Sequence, residues 1–222
     1  EKEAEVTMEA NPGTLTLEKL RICRENGVNR LSLGLQSPDD TELASLGRIH
    51  DYQQFLESYQ MAREAGFHNV NVDLMFGIPG QTRDGWEKSL RIVAALNPEH
   101  ISAYSLIIEE GTPFAARNLA LPDEDTEYQM YEDTARILGE YGFEQYEISN
   151  YARPGYACRH NIGYWTGVES LGLGLGASSL VGGKRFQVTA DLNRYLVFTK
   201  EELAAGAQYE EIHELSRQER ME

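Results

Sequence analysis

Hydrophobic and polar positions follow two alternating periods along the first part of the chain. Short runs dense in apolar residues cover 6–9, 30–36, 70–76 and 101–106. Between and after them, at 17–24, 53–64, 82–96 and 124–140, apolar residues recur every three or four positions. The first pattern predicts strands and the second amphipathic helices. Their alternation predicts βα units with a parallel sheet, and the nearly continuous apolar runs predict strands buried on both faces. Four such units do not close an eight-stranded barrel. The expected fold class is therefore α/β, a partial, open TIM-type β/α barrel.

Punctuation supports the same division. Glu25-Asn26-Gly27-Val28, Glu64-Ala65-Gly66-Phe67 and Glu140-Tyr141-Gly142-Phe143 each end a helical stretch with a glycine suited to the left-handed cap and restart on an apolar residue. Asn97-Pro98 stops a helix by another route, since proline cannot continue one. After Phe143 the character changes to turn formers over 152–160, a glycine-dense apolar segment over 172–179, and a helical stretch over 189–205. The expected organisation is a barrel over 1–142 and an appended α+β segment over 143–222. The segment from Leu215 to Arg220 reads as the capped start of a further helix, as though the chain were the middle of a longer protein.

Three polar residues fall at or near the ends of strands. Glu9 closes the first, Gln36 the second, and Asp73 interrupts the third. In a parallel barrel the strand ends and following loops form the active face, and a carboxylate or amide there is costly to bury without a ligand or partner. Pro79-Gly80 makes a turn just after the Asp73 strand; by itself it reads as an ordinary βα connection, and its position beside two other polar strand ends turns the reading to a functional one.

Composition narrows the classes. A chain of 222 residues supports one sizeable core. Thirty-six acidic against 20 basic residues, a net charge of −16, argue against nucleic acid as a partner. No apolar run approaches the roughly 20 residues of a membrane span, and the polar opening residues form no signal-peptide pattern, so a cytoplasmic location is expected. The two cysteines, Cys23 and Cys158, make no disulfide framework. Gly172, Gly174 and Gly176 lack the full dinucleotide pattern and read as sites of close backbone approach.

Four segments together carry a resemblance: Glu9-Ala10-Asn11-Pro12-Gly13-Thr14, Arg30-Leu31-Ser32-Leu33-Gly34-Leu35-Gln36-Ser37, Leu46-Gly47-Arg48-Ile49-His50 and Asp73-Leu74-Met75-Phe76-Gly77-Ile78-Pro79-Gly80-Gln81-Thr82. The chain resembles radical S-adenosylmethionine proteins, in the branch that holds oxygen-independent coproporphyrinogen III oxidase and the HemW-type haem chaperone. Glu147-Ile148-Ser149-Asn150-Tyr151 and Arg159-His160-Asn161-Ile162-Gly163-Tyr164-Trp165 resemble the chaperone.

The resemblance implies that Glu9, Gln36, Arg48, Asp73 and the backbone at Ile107 line an S-adenosylmethionine site. Carboxylates suit the ligand's ribose hydroxyls or ammonium, and Arg48 suits its carboxylate. It further implies a haem site at His160, Asn161 and Tyr164, with His160 as haem-iron ligand; from spacing alone His160 reads as a structural histidine, and both readings stand. Arg153 and Arg159 would offset propionate charge. The family's 4Fe-4S cluster sits on a CxxxCxxC motif that this sequence lacks, so the cluster ligands are expected upstream of Glu1 and the fragment is expected to be inactive alone. The implied function is to bind haem and S-adenosylmethionine and deliver haem to acceptor haem proteins. The alternative is porphyrin chemistry, the oxidative decarboxylation of coproporphyrinogen III. Oligomeric state is not legible.

Overall fold

The computed structural model describes residues 3–112, 114–117 and 119–216. It divides into two compact units, residues 1–157 and 158–222.

The first unit opens with strand β1 (Thr7–Ala10), helix α1 (Leu17–Glu25) and strand β2 (Arg30–Gln36). Two helices, α2 (Asp40–Ser45) and α3 (Tyr52–Glu64), lead to β3 (Val70–Phe76). Helix α4 (Arg83–Ala95), β4 (His100–Ser105) and α5 (Glu124–Glu140) follow, and then a short return through β5 (Glu144–Gln145) and β6 (Asn150–Ala152). The sheet order is β1-β2-β3-β4-β6-β5. The first four strands are parallel, whereas β6 runs antiparallel to β4 and to β5. This is the open, partial barrel expected. The compact unit extends past residue 142, where the sequence pattern suggested a boundary, because β6 pairs with β4 and so belongs to the main sheet.

The faces of this sheet differ from the expectation of apolar burial on both. Leu31, Leu33, Leu35, Val70, Val72, Leu74, Phe76, Ile101 and Ala103 enter the apolar core with Leu20, Phe55, Trp86, Leu90 and Met130 of the helices. The residues between them are largely polar: Arg30, Ser32 and Gln36 on β2, Asn71 and Asp73 on β3, His100, Ser102 and Tyr104 on β4. Side chains alternate between faces along a strand, so one face packs against helices and the other is a polar inner wall.

The helices are fixed by caps and buried anchors. Thr16, Asp39, Asp51, Thr82 and Asp123 cap α1 to α5, each accepting from a backbone N–H of the first turn. Trp86 on α4 is fully buried and donates from Nε1 to the Met130 carbonyl at 3.0 Å and the Thr134 hydroxyl at 2.9 Å, which locks α4 onto α5. Gly27, Gly66 and Gly142 take φ of 96°, 87° and 82°, as their place after helices predicts. Asn97 reaches φ 61° without glycine's freedom.

The second unit has helix α6 (Arg159–Trp165), strands β7 (Ser178–Val181) and β8 (Lys184–Val188), helices α7 (Leu192–Val197) and α8 (Lys200–Ala204), and strand β9 (Tyr209–Glu214). Its sheet is antiparallel, ordered β7-β8-β9. The helix expected over 189–205 is two short helices instead. Asp191 caps one and Thr199 forms a capping box on the other, and between them Phe198 is extended at φ −58°, ψ 128°. The helix start expected toward Arg220 lies mostly outside the described residues.

Candidate functional site

Of the polar residues singled out in the sequence, Gln36 ends β2 and Glu9 stands one residue before the end of β1, whereas Asp73 lies in the middle of β3. Glu9 is exposed on β1, opposite Ser32 in register, and Asp73 on β3 is opposite Ser102. Gln36 ends β2 at φ 73°, a left-handed conformation rare for a residue with a side chain, next to a register shift between Leu33 and Gln36. Its side chain is buried, and its oxygen accepts from the Tyr104 hydroxyl at 2.8 Å. Gly34 leaves room for that amide: a Cβ there would stand 3.2 Å from Gln36 Nε2 and 3.7 Å from Asn11 Oδ1.

Arg48 reaches the same end from the loop after α2. The loop is tied down by His50, which is buried with Nε2 3.2 Å from the Leu35 carbonyl. From there Arg48 Nη1 donates to Asn11 Oδ1 at 3.3 Å. Arg48 also lines a cavity of about 380 Å³ together with Leu46, Met75, Leu106, Ile107 and Phe114. Ile107 follows β4 and is 74% exposed on that wall. The connection after β3 is a turn in which the Gln81 N–H donates to the Ile78 carbonyl at 2.9 Å, with Pro79 and then Gly80 at φ 79° in the two central places.

Asp73 is the electrostatic centre. Burial raises its pKa, and the nearby Glu9 carboxylate adds to the rise; hydrogen bonds from Asn71, Ser32 and Ser102 oppose it. Asn71 Nδ2 donates to Asp73 Oδ1 at 2.7 Å, and the Ser32 hydroxyl donates to Asp73 Oδ2 at 3.1 Å. Below them His100 is fully buried, with Nδ1 2.6 Å from Asn71 Oδ1 and Nε2 2.7 Å from the Tyr146 hydroxyl. Its pKa is held down to about 3, first by burial and then by the charge of Arg30. Arg30 is itself buried, and its Nε has no hydrogen-bond partner. The sequence reading missed Asn71, His100, Ser102, Tyr104 and Tyr146 as parts of this wall. The signal available was the alternation within Arg30-Leu31-Ser32-Leu33-Gly34-Leu35-Gln36 and Val70-Asn71-Val72-Asp73.

The second cluster lies in the second unit. His160 and Tyr164 stand one turn apart on α6, not in a loop, so they share a face. Their rings meet edge to face, with centroids 4.5 Å apart at 74°. His160 and Tyr164 are exposed and Asn161 is half-buried. Tyr164 also lines a cavity of about 320 Å³ with Ser178, Leu180, Arg185, Phe186 and Gln187 of β7 and β8. Arg153 is engaged within the first unit, donating to Asn97 Oδ1 at 2.5 Å and the Pro98 carbonyl at 3.2 Å and covering the Phe143 ring.

These donor sets differ in what they fit. A half-buried carboxylate, a buried amide, an arginine and an adjoining apolar cavity suit a ligand with hydroxyls, an ammonium, a carboxylate and an aromatic base, as S-adenosylmethionine has. An iron–sulfur cluster needs several thiolates. Cys23 packs in the first unit with Sγ 3.7 Å from Met8 Sδ, and Cys158 is buried in the second. The cysteines present do not fit a cluster. Among the described residues no group of three or more His, Cys, Asp or Glu is placed to hold a metal ion, and no helix is long and apolar enough to cross a membrane.

Residues 1–93 match the model of the Radical SAM superfamily. The chain is 40% identical over 223 residues to the heme chaperone HemW of Bacillus subtilis, covering 99% of this chain and 58% of that protein. It is 41% identical over 179 residues to HemW of Escherichia coli, covering 81% of this chain and 47% of that one. The structure of coproporphyrinogen III oxidase (HemN) from Escherichia coli superposes with a TM-score of 0.80 at 25% identity, covering 99% of this chain and 53% of that one. The chain spans about half the length of the curated relatives it matches. With its open, mainly parallel sheet, this chain carries a Radical SAM superfamily match over residues 1–93 and is similar to HemW heme chaperones over most of its length.

Proposed function

We propose that the full-length protein is a haem chaperone of the HemW kind, which binds haem and S-adenosylmethionine and delivers haem to acceptor haem proteins, in the cytoplasm. The observation that carries this reading is the His160-Asn161-x-x-Tyr164 motif, set on one helix with His160 and Tyr164 in ring contact. An exposed imidazole is a common axial ligand for haem iron, and a neighbouring phenol or amide can orient it or meet a propionate. In this reading Glu9, Gln36, Arg48, Asp73 and the backbone at Ile107 hold S-adenosylmethionine. Asp73 and Glu9 accept from its hydroxyls or ammonium, Arg48 pairs with its carboxylate, and Gln36 both donates and accepts. A 4Fe-4S cluster would require cysteines that this sequence does not supply.

The test is an absorbance titration of haem into the full-length protein, wild type against His160→Ala. Saturable binding that the substitution removes without unfolding supports the chaperone reading and His160 as ligand; equal binding by both, or none by either, overturns it. The oxidase reading is kept by one observation, the close superposition on coproporphyrinogen III oxidase. Turnover of coproporphyrinogen III by the full-length protein would favour it.

A further inference from the structure

With Asp73 ionised, the hydrogen bonds beneath it run in one consistent direction. Asn71 faces the Asp73 carboxylate with one end of its amide and His100 with the other. An ionised carboxylate only accepts, so the end toward Asp73 is the NH₂ group, which also donates to the Ser32 hydroxyl at 2.7 Å. The amide oxygen therefore faces His100 Nδ1 at 2.6 Å and must receive a proton from it. This places a proton on Nδ1, and because the pKa of His100 is held down to about 3 the ring is neutral, so its bare Nε2 accepts from the Tyr146 hydroxyl at 2.7 Å. Ser32, having accepted from Asn71, turns its own proton to Asp73 Oδ2. From Tyr146 through His100 and Asn71, every donor points toward Asp73.

We infer that Asn71 and His100 are positioning residues for Asp73: the imidazole locks the amide, and the amide holds the carboxylate as a fixed acceptor for a cationic or hydroxylated ligand. The inference rests on the reading of Asp73 as an S-adenosylmethionine contact. It goes beyond that reading by assigning a binding role to two residues that sit deeper in the barrel. Asp73 needs such support, since burial and Glu9 both work against its charge. The charged and titratable groups facing this wall are Glu9 from β1, Arg30 from β2, His100 and Tyr104 from β4, Arg48 from the loop after α2, and Tyr146 from between β5 and β6. His100 adds no titration of its own near neutrality, because it stays neutral down to about pH 3.

The experiment is calorimetric titration of S-adenosylmethionine into the full-length protein across acid to neutral pH, using wild type, Asp73→Ala, Asn71→Leu, His100→Leu, His100→Asn and His100→Gln. Loss of the Asn71 donor, or of the imidazole that orients it, should weaken binding about ten- to a hundredfold near neutrality, the worth of a hydrogen bond to a charged group. It should also move the acid limb of binding to higher pH, because Asp73 then protonates more readily. His100→Asn keeps an N–H where Nδ1 stands and should restore most of the affinity. His100→Gln, whose amide reaches the place of Nε2, should not. A merely structural role for His100 predicts no such difference between Asn and Gln and no shift of the pH limb, and that result overturns the inference. If the leucine variants do not fold, the Asn and Gln pair carries the test. Unchanged binding by Asp73→Ala would instead overturn the reading of Asp73 itself, a distinguishable failure.

Discussion

The Tyr104 hydroxyl holds the Gln36 amide at 2.8 Å and so joins the ends of two strands, β2 and β4, that are not neighbours in the sheet. The bond helps retain Gln36 at φ 73°, a conformation that costs a residue with a Cβ about 1 kcal/mol or more. Tyr104→Phe should lower stability by about 1 kcal/mol, the net worth of one buried hydrogen bond. Gln36→Gly should lose the same bond and regain a similar amount from the relaxed backbone, leaving stability near that of wild type. Urea denaturation of the two variants checks both expectations, and both should weaken S-adenosylmethionine binding.

Arg48 bridges Asn11 and the cavity wall that includes Ile107. A planar guanidinium pairs with a carboxylate through two parallel bonds, which an ammonium cannot reproduce. Arg48→Lys should therefore weaken S-adenosylmethionine binding about tenfold while leaving the melting temperature unchanged. Equal affinities by equilibrium dialysis would remove Arg48 from the site.

Asp133 on α5 supplies a separate pH dependence. Arg83 donates to it twice, from Nε at 2.5 Å and Nη2 at 3.0 Å, and Arg136 adds a bond at 2.8 Å. The hydrogen bonds from Arg83, then those from Arg136, hold its pKa down to about 2 against the effect of burial. An unfolded aspartate titrates near 3.9, so this contribution is complete above about pH 4 and fades as pH falls toward 2. Asp133→Asn should cost roughly 2 kcal/mol at neutral pH, and the gap from wild type should close over that acid interval. Unfolding curves at pH 7, 4 and 2.5 would measure it.

Gly172 illustrates why the glycine-dense segment is built as it is. A Cβ at this position would lie 2.3 Å from the Ser178 carbonyl oxygen and 2.9 Å from Ala177 C, both backbone atoms. Gly172→Ala should force the segment away from β7 and destabilise the second unit by about 1–3 kcal/mol. Limited proteolysis should then cut within 158–216 sooner than in wild type, with the first unit's fragment pattern unchanged.

Much of the barrel was legible from residue pattern because its strands and helices are long and well capped. Arg30–Gln36, Val70–Phe76 and Glu124–Glu140 coincide with the runs read from sequence. The six residues of α2 and the seven of α6 are too short for a period to emerge, and only their neighbours fix them as helices. Glu9, Gln36 and Asp73 stood out because polar groups at strand ends are unusual, whereas Arg48 and Ile107 were reachable only through the family resemblance. His100 was invisible as a site residue. A histidine opening a strand looks like a surface residue, and its partners Asn71 and Tyr146 lie 29 and 46 positions away.

The alternation along β2, β3 and β4 has a consequence for how such a protein can change. Leu31, Leu33 and Leu35 belong to the apolar core with the helices, while Ser32, Gly34 and Gln36, one residue along, are not part of that core. Ligand-facing and core-facing positions thus interleave on the same strands. A library restricted to 32, 34, 36, 71, 73, 75, 100, 102 and 104 would explore new specificities while sparing the hydrophobic interior, and drift at the intervening positions would tune melting temperature with little trace in binding. One scaffold is thereby open to many chemistries.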